Sequence, residues 1–170
     1  MPYFKNDNCN IYFELYGPQD VPAILLLARG GMGSRISLWS NGPWNPIDQL
    51  KDHFRIVAMD QRNAGRSTAP MSGKDNWQTY TNDQLALMSY IGAEQFHVAG
   101  MCIGGPFVLG LIQSAPARIR SATIFQTIGR DNNQSVFDNM FDEWAETKMQ
   151  EFNISPNKWS SFHKNMFGGG

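Results

Sequence analysis

The sequence predicts an α/β fold, with a mostly parallel sheet and helices on both of its faces. Three observations support this prediction. Short apolar runs, such as Ala-Ile-Leu-Leu-Leu at 23–27, have the continuous composition of strands that are buried on both sides. Segments with helical spacing of apolar residues separate these runs, as expected of βαβ units. Glycine-rich loops follow the runs, at the strand ends where sites form in such sheets.

The predicted elements alternate after an N-terminal hairpin with its turn at 6–8. Strands are predicted at 23–27, 54–59, 96–99 and 121–125, and helices at 46–52, 81–92 and 104–112. Thr81 and Gln84 have the spacing of a capping box and are predicted to begin the second helix. Amphipathic helices beginning at Ser135 and Pro156 then predict the start of a helical lid. We expect residues 1–128 to form the core and 129–170 the lid segment.

Length, net charge and the lack of targeting signals narrow the classes of function that the sequence can have. The 170 residues suffice for one domain with a sizeable core, and a net charge of −1 does not favour nucleic acid as a partner. The sequence lacks the apolar run of about 18 residues that a membrane span needs, and its N-terminus lacks the form of a signal peptide. These features predict a cytoplasmic protein without a membrane partner. Two cysteines, Cys9 and Cys102, leave a single disulfide open.

The stretch Gly-Met-Cys-Ile-Gly-Gly at 100–105 lies between a predicted strand and a predicted helix. A strand, a sharp turn with small residues and a helix form the setting of a nucleophile elbow, whose middle residue here is Cys102. Its thiolate would be the nucleophile, and the start of a helix favours the charged form of a thiol. The alternative is a small buried thiol in a turn that carries out no chemistry.

Two further loops, at 29–34 and 60–67, end strands at the same edge of the predicted sheet and should meet the elbow there. The backbone N–H groups of Gly31 and Ile103 are candidates for an oxyanion hole, although glycine could serve the turn alone. Arg29 could orient a substrate carboxylate or brace the 60–67 loop, and Met32 is a second candidate for substrate binding. Asp60 and Arg62 are expected to hold their own loop together.

Three motifs resemble the α/β-hydrolase family, in the family's order, over roughly residues 11–125. Leu-Ala-Arg-Gly-Gly-Met-Gly at 27–33 resembles the oxyanion loop, with arginine in the place of the usual histidine. Asp-Gln-Arg-Asn-Ala-Gly-Arg-Ser at 60–67 resembles the Asp-x-Arg-Gly-x-Gly-x-Ser turn, and 100–105 resembles the elbow. The cysteine elbow is similar to that of dienelactone hydrolases, whereas the other two motifs look more like the ester- and C–C-hydrolase branch.

The resemblance implies that an acid and a histidine follow the nucleophile on later strands. We therefore expect the 170 residues to be the N-terminal part of a longer hydrolase, with both residues beyond position 170. Within the sequence, His53 is predicted at the wrong edge of the sheet and His97 inside a strand, so only His163, on the second lid helix, could reach Cys102. The strand at 121–125 would be an uncovered edge, through which a second copy could pair in a homodimer.

The sequence thus predicts a hydrolase of an ester, lactone or related acyl substrate, in which the Cys102 thiolate attacks and the N–H groups of Gly31 and Ile103 hold the oxyanion. No metal or other cofactor is expected, because metal-ligand spacing is missing and the loop at 30–33 lacks the lysine of a phosphate-binding loop. Two alternatives stay open: a non-catalytic module that binds a small ligand, and an inactive fragment.

Overall fold

The structure is a computed structural model that describes residues 2–42, 44–71, 73–128 and 155–167. Its described strands form a six-stranded sheet with the order β1-β2-β4-β3-β5-β6. The strands are β1 (Tyr3–Asn6), β2 (Cys9–Tyr16), β3 (Ala23–Leu27), β4 (Arg55–Met59), β5 (Phe96–Met101) and β6 (Ile119–Phe125). The hairpin β1–β2 and the pair β2–β4 are antiparallel, whereas β4, β3, β5 and β6 run parallel. The predicted mostly parallel sheet is confirmed.

Strand β3 lies at the centre of the sheet, with β4 on one side and β5 on the other. All five of its residues are buried, as the continuous apolar run predicts. On one face of the sheet, Leu26 belongs to a core cluster with Trp39 and Ile47, which come from two short helices. On the other face, Leu27 approaches the start of a longer helix at Gly104. Helices therefore cover both faces of the sheet, as predicted.

Five helices are described: α1 (Ser37–Ser40), α2 (Pro46–Leu50), α3 (Trp77–Tyr90), α4 (Gly104–Ser114) and α5 (Pro156–Phe167). Helix α2 begins at Pro46, as predicted, because proline suits a first helical position and Asn45 caps it. The Asn45 side chain accepts a hydrogen bond from the Ile47 N–H at 3.1 Å. Helix α1 is too short to give a periodic signal and was not predicted.

The predicted start of α3 is wrong. Thr81 and Gln84 do not form a capping box at the helix start, because α3 begins at Trp77 and both side chains are buried within it. Asn76 and Thr79 make the reciprocal pair instead: the Asn76 side chain accepts from the Thr79 N–H at 3.1 Å, and the Thr79 hydroxyl accepts from the Asn76 N–H at 3.2 Å. Threonine replaces the usual glutamate or glutamine, which hides the pattern in the sequence.

The chain divides into two compact units, one of residues 1–70 and 80–128 and one of residues 71–79 and 129–170. The first unit holds the sheet. In the second, the Asn165 side chain on α5 donates a hydrogen bond to the Gly73 carbonyl at 2.9 Å. The predicted helix at Ser135 lies outside the described residues, whereas the helix predicted to begin at Pro156 is confirmed as α5. The assignment of 129–170 to a lid stays a prediction.

Strand β6 forms one edge of the sheet, as predicted, and pairs with β5 alone among the described strands. Its five central residues are exposed, and Ile124 keeps 37% of its surface accessible. An edge strand of this kind can template pairing with another chain. Within the described parts of the chain, no helix combines the length and the apolar character that a membrane crossing requires.

Candidate functional site

Cys102 occupies a sharp turn between the end of β5 and the start of α4. Its backbone has φ of +56°, a left-handed conformation that L-residues other than glycine adopt only when the surroundings hold them there. Three hydrogen bonds supply that support: the Cys102 N–H donates to the Phe125 carbonyl at 3.0 Å, and the Cys102 carbonyl accepts from the Gly105 N–H at 2.9 Å and from the Ile128 N–H at 3.5 Å. Strand, strained turn and helix together give the backbone geometry that a nucleophile elbow requires.

The small residues around Cys102 are required by close approach of the backbone. A Cβ atom on Gly100 would lie within 3.0 Å of the Gly104 carbonyl oxygen, and one on Gly104 would lie within 3.0 Å of the Leu27 carbonyl oxygen. Backbone atoms cannot move aside as a flexible side chain can. The end of β3, the end of β5 and the start of α4 are therefore in direct contact, and any side chain at these positions would separate them.

The loop after β3, which carries Gly31, begins beside this turn. Leu27, the last residue of β3, pairs with Gly100 in the sheet, so the loop leaves β3 next to the elbow. Gly31 has φ of +57° and begins a 3₁₀ turn over Gly31–Gly33. In the described part of the chain, neither the Gly31 N–H nor the Ile103 N–H hydrogen bonds to another backbone group. The role of these two N–H groups in an oxyanion hole stays a prediction.

The loop at 60–67 is held from within and by the neighbouring 34–36 segment. The buried Asp60 carboxylate accepts the Ile36 N–H and the Arg66 N–H, each at 2.8 Å. The Ser67 hydroxyl donates to the Asp60 carbonyl at 2.7 Å and accepts the Tyr12 N–H at 2.8 Å. Asp60 therefore stabilises its own loop, as predicted, and also fixes the end of the loop that carries Gly31.

Arg29 lies against the 41–42 segment. Its guanidinium donates to the Asn41 carbonyl at 3.2 Å, and one of its terminal nitrogens is 2.7 Å from the position that a Cβ atom on Gly42 would occupy. One predicted role for Arg29 was to brace the 60–67 loop. Its described contacts are with the 41–42 segment instead, and Asp60 holds the 60–67 loop. Met32 is only 5% exposed, so its side chain offers little surface to a substrate in this structure.

Trp44 and Phe125, which the sequence analysis did not single out, also lie near the elbow. Phe125 supplies the carbonyl that holds the Cys102 N–H, and its ring contacts Trp44 with 5.2 Å between centroids. Trp44 lies one residue before the Asn45 helix cap, outside the described helices and strands. A large aromatic side chain outside a helix or strand is the signal that could have drawn attention to Trp44.

Neither His53 nor His97 lies at the edge of the sheet that carries Cys102. His97 lies near the amino end of β5, four residues before its last residue, and its Nδ1 is 2.7 Å from the Ser121 hydroxyl oxygen. His53 precedes β4, also at the amino edge of the sheet, which is the opposite edge from the elbow. His163 is part of α5 in the second unit. Cys9 is buried, Cys102 is half-buried, and neither is part of a disulfide, so the pairing left open by the sequence does not form.

The geometry agrees with a comparison of the chain with protein families. A family model described as the α/β hydrolase fold matches residues 23–162. The chain belongs to the α/β-hydrolase fold family. This result confirms the predicted resemblance at the level of the family and the fold, and the strand order and the helices on both faces agree with it.

This α/β-hydrolase chain is similar in sequence to several proteins that are named as hydrolases. A protein of Agrobacterium fabrum named as a carbamate hydrolase, RutD, is 32% identical over 110 residues, covering 64% of this chain and 40% of that protein. Carboxylesterase YbfK of Bacillus subtilis is 28% identical over 112 residues, covering 64% of this chain and 34% of that protein. The chain thus spans less than half the length of these relatives.

Among solved structures, the enol-lactonase of Burkholderia xenovorans LB400 superposes with a TM-score of 0.67 at 21% identity, covering 96% of this chain and 68% of that chain. At this level of identity, the superposition supports the α/β-hydrolase fold and nothing finer.

A buried ion pair anchors the 60–67 loop to α3. The Arg62 guanidinium donates to both carboxylate oxygens of Asp83, from Nε at 2.8 Å and from Nη2 at 2.9 Å. Asp83 also accepts from the Asn6 side chain at 2.7 Å. The side chains of Arg62 and Asp83 are 7% and 1% exposed, so this is a desolvated two-point pair. The sequence predicted a role for Arg62 within its own loop, whereas its guanidinium pairs with Asp83 on α3.

Glu14 on β2 joins the same loop to the sheet. It accepts hydrogen bonds from the Tyr12 hydroxyl at 2.6 Å, from Arg66 at 2.8 Å and from the Tyr16 hydroxyl. Burial alone would raise the pKa of Glu14, but these three donors outweigh it and lower that pKa. The hydrogen bond to Glu14, followed by burial, raises the pKa of Tyr12 to about 12.

We expect the Glu14 cluster to make stability depend on pH in the acid range. A carboxyl group whose pKa is lowered on folding contributes its full stabilisation above its unfolded pKa, and this contribution is lost as pH falls through the folded value. Glu14→Gln should therefore lower the free energy of unfolding by about 1 kcal/mol at pH 7 and flatten its decrease between about pH 5 and pH 3. Urea unfolding at several pH values measures both effects. Asp20→Asn, at an exposed carboxylate, is the control and should leave the pH dependence unchanged.

Proposed function

We propose that this protein is a hydrolase of esters, lactones or related acyl compounds in which the Cys102 thiolate is the nucleophile. The observation that carries the proposal is the left-handed backbone of Cys102 between β5 and α4, since a strained turn at this position holds a nucleophile exposed above the sheet. The relatives named as a carbamate hydrolase and a carboxylesterase support acyl chemistry of this class.

In the proposed mechanism, the Cys102 sulfur attacks the substrate carbonyl carbon, and the carbonyl electron pair moves to oxygen. The N–H groups of Gly31 and Ile103 bind this oxyanion, an interaction for which removal of one donor typically costs about 2.7–4 kcal/mol. The oxyanion then collapses, the bond to the alcohol oxygen breaks, and the alcohol leaves with a proton. Water attacks the resulting thioester, which releases the acid and restores the thiol.

The proposal assigns the proton transfers to residues other than His53 and His97, because both lie near the amino edge of the sheet. The family order of nucleophile, acid and histidine places both remaining groups after Cys102 in the chain. Arg29 would orient a substrate carboxylate, whereas Met32 is too buried in this structure to be given a role in the mechanism. A small-molecule acyl substrate is the only partner that this mechanism requires.

Alkylation by iodoacetamide tests the nucleophile. At pH 7 we expect Cys102 to react at least about ten times faster than N-acetylcysteine, because a nucleophile in an elbow is held in position and activated for attack. Mass spectrometry of the two cysteine peptides gives the rates, and Cys9, which is 0% exposed, is an internal thiol that should not react in the folded protein. Reaction of Cys102 at the rate of N-acetylcysteine would contradict the proposal. Hydrolysis of p-nitrophenyl acetate that is lost in Cys102→Ala would separate catalysis from ligand binding.

A further inference from the structure

Trp44 and Phe125 form an aromatic pair at the rim of the core. Their ring centroids are 5.2 Å apart and their planes are tilted by 59°, an arrangement in the range that aromatic pairs favour. Phe125 packs against the core cluster of α1, α2 and the sheet, whereas Trp44 keeps 40% of its surface exposed. The exposed part of the Trp44 indole is a large apolar surface, and covering it with a ligand would be favourable.

The pair is connected directly to the proposed nucleophile. Phe125 is the last residue of β6 and is the register partner of Met101, the residue before Cys102. The Phe125 carbonyl accepts the Cys102 N–H at 3.0 Å, so the backbone that carries one ring also fixes the turn. Both residues therefore lie at the carboxyl end of the parallel strands, where ligands bind in sheets of this kind.

We propose that Trp44 and Phe125 form the wall of the acyl-binding site and favour substrates whose acyl group carries an aromatic ring. This inference rests on the proposed function, because it concerns the group attached to the carbonyl that Cys102 attacks. A substrate ring placed on Trp44 would extend the existing pair of rings and cover the exposed part of the indole. Aromatic pairs of this kind contribute about 0.5–1.5 kcal/mol beyond their burial.

Two alkylating reagents test the wall on the intact protein: iodoacetamide and its N-phenyl analogue, iodoacetanilide. In both reactions the Cys102 sulfur forms a bond to the CH2 carbon, the carbon–iodine bond breaks, iodide leaves with the electron pair, and the thiol proton passes to the buffer. The measured quantity is the ratio of the two rate constants at Cys102, divided by the same ratio for N-acetylcysteine. This division removes the intrinsic difference between the reagents.

We expect the corrected ratio to be about 10 in the unmodified protein and to fall about three- to tenfold in Trp44→Ala, from the energy of one aromatic pair. Trp44→Phe keeps a ring at the wall and should retain most of the preference. Leu109→Ala is the matched control, because Leu109 is 55% exposed on α4 and is not part of the wall. A ratio that is the same in Trp44→Ala as in the unmodified protein would overturn the inference, provided that circular dichroism shows both to be folded.

The same data separate this inference from the proposed function. The absolute rate with iodoacetamide reports the reactivity of Cys102, whereas the corrected ratio reports the wall. A fast reaction with a ratio near 1 would support the nucleophile and contradict the wall. A slow reaction with a ratio that depends on Trp44 would support the wall and contradict the thiolate nucleophile.

Discussion

Asp83→Ala is expected to lower the free energy of unfolding by about 3–5 kcal/mol, because it removes the carboxylate that the buried Arg62 guanidinium contacts at two points. The pair is held at two points, at 2.8 Å and 2.9 Å, and both side chains are almost fully buried. Asn6 loses its 2.7 Å hydrogen bond to the same carboxylate. Since small domains are stable by only about 5–15 kcal/mol, this loss should be visible as a large shift of the urea midpoint.

Two further variants establish the cause of this loss. Lys51→Ala breaks an ion pair with Asp48, in which the side chains are 47% and 61% exposed, and should cost less than about 1 kcal/mol. Replacing Arg62 by methionine together with Asp83 by leucine removes both charges and should recover much of the stability. If Asp83→Ala costs no more than Lys51→Ala, then the buried pair does not anchor the 60–67 loop.

Gly100→Ala should destabilise the protein by about 3 kcal/mol, since the added methyl group would meet backbone atoms. The new Cβ would lie within 3.0 Å of the Gly104 carbonyl oxygen and 2.8 Å from the Val108 side chain. The loss is steric, because Gly100 is not among the glycines with positive φ. Helix α4 would have to move away from β5, which would also displace Cys102. Thermal and urea unfolding measure the cost.

Gly92→Ala is the matched control for Gly100→Ala. A Cβ atom on Gly92 would have no neighbour within 4 Å, but Gly92 has φ of +75°. Its substitution should therefore cost only the conformational strain, about 1–2 kcal/mol. Equal losses for the two variants would mean that the approach of α4 to β5 is not the reason for glycine at position 100.

The parts of the fold that depend on local composition could be predicted from the sequence. The run at 23–27 is apolar throughout, and only a strand packed on both faces places all five side chains in the core. The elbow could be predicted because its requirements, small residues around one central residue, come from backbone contacts within a few positions of Cys102. The family follows from these features together with the two other loops.

What could not be predicted depends on pairing between distant segments. Arg62 and Asp83 are 21 positions apart, and nothing in either local sequence states that a loop and a helix will meet there. Thr81 and Gln84 have the spacing of a helix start, but Gln84 faces the core and donates to the Gln61 side chain at 3.0 Å, which explains its presence without any capping role. The arrangement of Trp44 against Phe125 likewise arises only when β6 joins the sheet.

The hydrogen bond from Cys102 to Phe125 makes the turn dependent on the rim of the sheet. Phe125 ends β6, which among the described strands is paired on one side only. Strand ends at a sheet edge fray before the interior opens, since fewer contacts hold them. A small opening at the end of β6 would therefore break the hydrogen bond from Cys102 to Phe125 while the centre of the sheet stays paired, and the turn would then rest on the bonds to the Cys102 carbonyl. The position of the proposed nucleophile is thus more easily disturbed than the centre of the sheet. A chain that paired with β6 would stabilise the end of the strand and the turn together.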